Sequence, residues 1–82
     1  MSRTSILHEI DLERAVQEDK WGGAAHDLQL TALDWHEMIA DYNGWARSMR
    51  ARGSPDKARR RYIQIAALAV AAIESMEGSR NV

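Results

Sequence analysis

Three groups of side chains in this chain have types and spacings that do chemistry. The first is Asp34, Glu37 and Asp41. On a helix the spacing i, i+3, i+7 sets all three carboxylates along one edge. Carboxylates gathered in this way hold Mg²⁺ through hard oxygen ligands, and the ion then engages a substrate phosphate. The same acids also suit the solvated side of an amphipathic helix, so both readings stand at this point.

The second group is Trp21-Gly22-Gly23-Ala24-Ala25-His26-Asp27. An aromatic ring stacks a base, glycines let backbone N–H groups approach an anion, and a His-Asp pair binds a metal or moves a proton. The bland counterpart is a helix end followed by a packed Trp and a satisfied histidine. The third group is the run Arg59, Arg60 and Arg61 at the start of a helix, whose free N–H groups and partial positive charge suit an anion. Successive helical residues diverge, so at most two of the three serve one ligand. Arg60 and Arg61 are the candidates.

Other chemistries have little to stand on. The chain has no cysteine, hence no disulfide, thiolate nucleophile or Cys-based zinc site. The serines have no nucleophile motif around them, and His36-Glu37 is not followed by a second His at the zinc-protease spacing. Nucleic acid is an unfavoured partner: the net charge is −1, and only Tyr62 adjoins the arginines as an aromatic.

Three helical segments must position these groups. The first runs from about Ser5, as N-cap, to Lys20. Ile6, Ile10, Glu13, Gln17 and Trp21 share one of its sides, so Glu13 and Gln17 sit on an otherwise apolar face and need partners. Leu12 and Val16 make a second apolar strip. Gly22-Gly23 breaks the helix, and Ala24 to Leu30 is a loop or at most one turn.

The second helix starts after Thr31, with Asp34 completing a capping box. Trp35, Met38, Ile39, Tyr42, Trp45, Ala46 and Met49 form its apolar stripe, continuous through Asn43-Gly44. Ala51-Arg52-Gly53-Ser54 is a turn. Ser54 as N-cap and Pro55 at the first helical position open a third helix, which runs to about Glu77 and ends at Gly78.

That third helix contains Tyr62 to Ile73, a stretch with Gln64 as its one polar residue besides the tyrosine hydroxyl and no charge. A helix apolar all round must be covered all round. An 82-residue single domain has little material for this. The expected fold is all-α, a three-helix antiparallel bundle with a buried C-terminal helix, completed by oligomerisation as a dimer or higher assembly. Ala67 and Ala71 are expected in the seam between copies. The 12-residue run is shorter than the ~20 a membrane span needs, and no apolar stretch follows Met1–Ser5, so a cytoplasmic protein without membrane contact is expected.

Charge is unevenly spread. Residues 9–41 hold nine acids against Arg14 and Lys20, and residues 47–61 hold seven bases against Asp56. The two halves can attract each other within the fold or between copies.

Two stretches carry a resemblance: Glu13-Arg14…Gln17…Lys20-Trp21-Gly22-Gly23…His26-Asp27, and Arg60-Arg61-Tyr62-Ile63-Gln64-Ile65-Ala66-Ala67-Leu68-Ala69-Val70-Ala71-Ala72-Ile73-Glu74. Together they resemble a group of small helical proteins of bacteriophages and prophages, over residues 9 to 77. That group is more distantly similar to the MazG-like all-α nucleoside triphosphate pyrophosphohydrolases. Those are helical dimers or tetramers that hold Mg²⁺ with a Glu-Glu-x-x-Glu motif and a later Glu-x-x-Asp motif.

The resemblance implies Asp34, Glu37 and Asp41 in place of the first motif, at a different spacing. At the second motif this chain has Gln64, Ala67 and Leu68, so half of the metal cage is missing unless Glu13 or a second subunit fills it. A nucleotide or other phosphate ligand is the implied partner, bound by Glu13, Gln17, Lys20, Trp21, His26, Asp27, Arg60 and Arg61. Binding is favoured over turnover, as in sequestration of a signalling nucleotide of host defence, in the host cytoplasm. The alternative is an interaction module that docks on and modulates a host protein.

Overall fold

The computed structural model describes residues 2–21 and 30–80. Within them the chain is all-helical: α1 (Arg3–Trp21), α2 (Ala32–Ala51) and α3 (Pro55–Arg80). The expected break at Gly22-Gly23 and most of the expected loop, residues 22–29, lie outside the described residues.

The cap of α1 is Ser2 rather than Ser5. The Ser2 hydroxyl accepts from the Ser5 amide at 3.1 Å, and the Ser2 carbonyl accepts from Ile6 N–H at 3.2 Å. A serine three residues before a free amide satisfies that donor, and Ser5 already lies inside the first turn. The start of α2 is as expected. Thr31 Oγ1 accepts from Asp34 N–H at 3.2 Å, and the Asp34 carboxylate accepts from Thr31 N–H at 2.8 Å.

Helix α2 ends through Gly53, whose φ of +75° is open to a residue without Cβ. Gly53 N–H donates to Arg50 O at 3.0 Å and Ser54 N–H to Met49 O at 2.8 Å. These are the paired bonds of a Schellman turn. Ser54 O then accepts from Ala58 N–H at 3.1 Å, launching α3 at once. Helix α3 continues to Arg80, past the expected stop at Gly78. One glycine costs a helix only about 1 kcal/mol, and the positive φ of a terminating glycine occurs at Gly53, not Gly78.

The short turn makes α2 and α3 an antiparallel hairpin. Ala46 and Ala58, both buried, let the helices approach near the turn. Farther out, Trp35, Leu68 and Ala71 form the core, flanked by Leu30, Met38, Ile39, Tyr42 and Ala72. Helix α1 packs on α3; among the described residues no Cα of α1 comes within 8 Å of a Cα of α2. One flank of α1, Glu9 and Glu13, meets the first turns of α3. The other, Arg14, meets Glu74 near its end, so α1 lies across α3 rather than along it.

The molecule is consequently open. Its radius of gyration is 13.6 Å, against about 12 Å for a compact chain of this length. Leu68 is the one large side chain fully buried among the described residues. Ala67 and Ala71, expected between copies, are instead 0% and 1% exposed inside the protomer, because α1 and α2 both press on that side of α3. The opposite side carries Tyr62, Ile73 and Met76, all exposed, while Val70 borders the cleft with Leu7 and Ile10 of α1.

Candidate functional site

The candidate ligand residues fall into separate environments around α3. Glu13 and Arg60 do come together. They line a groove of about 250 Å³ between α1 and α3 with Leu12, Val16, Asp56, Ile63 and the pair Glu9–Arg59. Arg59 donates to both oxygens of Glu9, at 3.2 and 2.5 Å. Those hydrogen bonds hold the Glu9 carboxyl below its ordinary pKa and raise that of Arg59. The groove thus has three carboxylates and two guanidiniums, with Arg59 already engaged by one of the acids.

Arg61 is elsewhere. A step of 100° from Arg60 turns it toward α2, where its guanidinium carbon sits 5.0 Å from the Trp45 ring centroid and 5.6 Å from that of Tyr42. The two rings are 4.9 Å apart and tilted by 49°. Arg61 Nη1 also donates to Gln64 Oε1 at 3.1 Å. This cation–π stack was not legible as a site in the sequence, although the i, i+3 spacing of Tyr42 and Trp45 and of Arg61 and Gln64 signals each neighbour pair.

Gln17 is where its periodicity puts it, 3% exposed in the α1–α3 contact. Its Nε2 donates to the Gln64 carbonyl at 3.3 Å, and its Oε1 is buried with no partner. Arg14, unremarked as a candidate, is almost as buried. Its Nε bonds Glu74 at 3.0 Å, and Glu18 lies 3.6 Å from its Nη2. Lys20 is exposed near the end of α1. Trp21 closes that helix with its ring outside the described side chains, and His26 and Asp27 lie outside the described residues.

The acidic edge of α2 is divided in use. The Asp34 carboxylate bonds the Thr31 amide as a cap, while Glu37 and Asp41 are exposed to solvent. Among the described residues no cluster of three or more His, Asp or Glu side chains is arranged to hold a metal ion. No described helix is long and apolar enough to cross a membrane.

Comparison with known proteins adds no relative: no family model, no curated protein and no solved structure matches this chain.

Proposed function

We propose that this chain is a helical interaction module that works by docking its open α3 face on protein, with the three-helix bundle completed by the partner. The observation that carries this reading is the set of large apolar side chains left in solvent on that face: Tyr62 at 43%, Ile73 at 55% and Met76 at 61% exposure. Single exposed apolar residues are ordinary; such a set on one side of the longest helix of a chain with so thin a core marks a contact surface.

A second reading is a phosphate-bearing ligand, a nucleotide with Mg²⁺ in the enzymatic form. It is favoured by the shared groove of Glu13 and exposed Arg60. The MazG-like pattern of the sequence points the same way but lacks its second acidic motif.

One experiment separates the two. A photoreactive amino acid is placed at position 73 or, as a control, at exposed position 37, and melting is followed with ATP, GTP and cyclic nucleotides, each with and without Mg²⁺. The module reading expects a protein adduct from position 73 only and no nucleotide-dependent shift. A nucleotide-dependent rise in Tm without an adduct overturns it in favour of the second reading.

A further inference from the structure

A second cleft lies between α1 and α3, on the flank of α1 away from the Glu9–Arg59 pair. Its volume is about 290 Å³, and its apolar walls are Leu7 and Ile10 from α1 and Val70 from α3. Leu7 and Val70 are both exposed, so these walls are open to solvent. Sites for whole small molecules run from about 300 to 1,000 Å³. A cleft at the bottom of that range is sized for one or two side chains.

Acids surround the apolar walls. Asp11 and Glu18 come from α1 and Glu74 from α3, with Arg14 as the one cation among the described residues that line the cleft. Arg14 is 7% exposed and is committed to a carboxylate on each helix. Its Nε donates to Glu74 Oε1 at 3.0 Å, and its Nη2 lies 3.6 Å from Glu18 Oε1. The buried guanidinium thereby holds one acid on either side of the cleft, and both acids stay half-exposed. Asp11 is exposed and stands outside that pairing. Arg3, one turn before Leu7 on the same flank, does not line the cleft. Three carboxylates against one guanidinium leave a surplus of two negative charges.

Apolar walls beneath an acidic rim are complementary to a side chain with an aliphatic stem and a positive head. Resting on the interaction-module reading, we propose that this cleft receives a lysine or arginine side chain of a partner protein, from a segment in which the basic residue neighbours an aliphatic one. The stem lies along Leu7, Ile10 and Val70, and the head reaches Asp11, Glu18 and Glu74. An anionic segment meets the surplus of negative charge and is repelled. The groove on the other flank of α1 suits a cation less well, because two guanidiniums, Arg59 and Arg60, line it.

Position agrees with this assignment. Val70 is three residues before Ile73, so on α3 the wall of the cleft adjoins the open apolar face. One partner segment therefore serves both surfaces. Its aliphatic residues cover Ile73 and its neighbours, and its basic residue sets the register against the acids.

The test is a selection of displayed random 12-residue peptides on the full chain, followed by fluorescence anisotropy of the selected peptides made synthetically. The enriched sequences are expected to carry Lys or Arg beside Leu, Ile, Val or Met. Asp11→Lys should raise their Kd at least about ten-fold. Leu7→Ser, at an exposed wall position, should raise it at least about three-fold. Glu37→Lys makes the same change in net charge on exposed α2 surface and should leave Kd within about two-fold. Helical circular dichroism should be the same for all three variants.

Selection without enrichment of basic residues, equal losses with Asp11→Lys and Glu37→Lys, or indifference to Leu7→Ser each overturns the inference. A protein adduct at position 73 that Asp11→Lys leaves intact overturns it too, yet leaves the interaction-module reading standing. Neither an adduct nor a selected peptide removes both.

Discussion

Arg59 grips Glu9 with two hydrogen bonds across a separation of 50 residues in the chain, tying the middle of α1 to the first turns of α3. The grip depresses the Glu9 pKa below its ordinary 4.5, chiefly through the hydrogen bonds from Arg59. A carboxyl depressed in the folded state contributes stability at neutral pH, and that contribution is lost as pH falls from the ordinary value through the folded one. Both groups are largely solvated, so the contribution is small. Replacing Glu9 with Gln should flatten the acid limb of a Tm-versus-pH curve below about pH 4.5 and leave the limb above pH 6 parallel to wild type. An unchanged acid limb would show that the pair is energetically silent.

Gln17 is a buried amide with half of its hydrogen-bonding capacity unused. Exchange for Met removes the desolvated oxygen and keeps the volume. The Gln64 carbonyl that it bonds is a helix acceptor in its own right, so stability should hold or rise. Exchange for Glu buries a charge without a countercharge and should cost about 3 kcal/mol. Urea unfolding of the two variants checks the pair. Equal losses for Met and Glu would mean that the hydrogen bond to Gln64 outweighs the orphaned oxygen.

Among the described residues Leu68 is the one large side chain at 0% exposure, seated against Trp35. Its truncation to Ala should cost about 2–4 kcal/mol. In a domain of this size that lowers Tm by about 10–25 °C. Calorimetry on Leu68→Ala, with Leu33→Ala as an exposed control, reads this directly. Similar melting of the two variants would place the centre of the core elsewhere.

Two glycines should respond with opposite signs. A Cβ at Gly44 meets nothing within 4 Å inside a continuous helix, so Gly44→Ala should stabilise by about 1 kcal/mol. Gly53 also has open space, yet its φ of +75° disfavours any Cβ, and Gly53→Ala should cost about 1 kcal/mol. Thermal melts of both alanines decide it. A stabilising Gly53→Ala would mean that the turn relaxes out of the left-handed region.

Local chemistry made much of the fold legible in advance. Thr31 with Asp34 announces a helix start because the free amides they serve are within a turn of them in sequence, and Pro55 announces another because its fixed φ suits the first helical position. The apolar stripe from Trp35 to Met49 reads as one helix because its repeat is 3.6. The same local logic misplaced the cap of α1 by three residues, since Ser2 and Ser5 are chemically equivalent and only the observed bonds choose between them. It also gave Gly78 more breaking power than one glycine has.

What the sequence determined by itself is the helical order, the hairpin turn, the placement of Gln17 on a buried face and the surplus of apolar surface on α3. Each follows from spacing along one chain. What the tertiary structure decided is where that surplus is spent. Tyr62 to Ile73 is apolar on every side, so periodicity cannot say which side meets α1 and α2. Packing assigns Ala67, Leu68 and Ala71 to the protomer and leaves Tyr62, Ile73 and Met76 outside. It likewise carries Arg60 to the α1 groove and Arg61 to the rings of Tyr42 and Trp45, because which groups meet depends on how one helix crosses another, and no spacing within a single helix encodes that crossing.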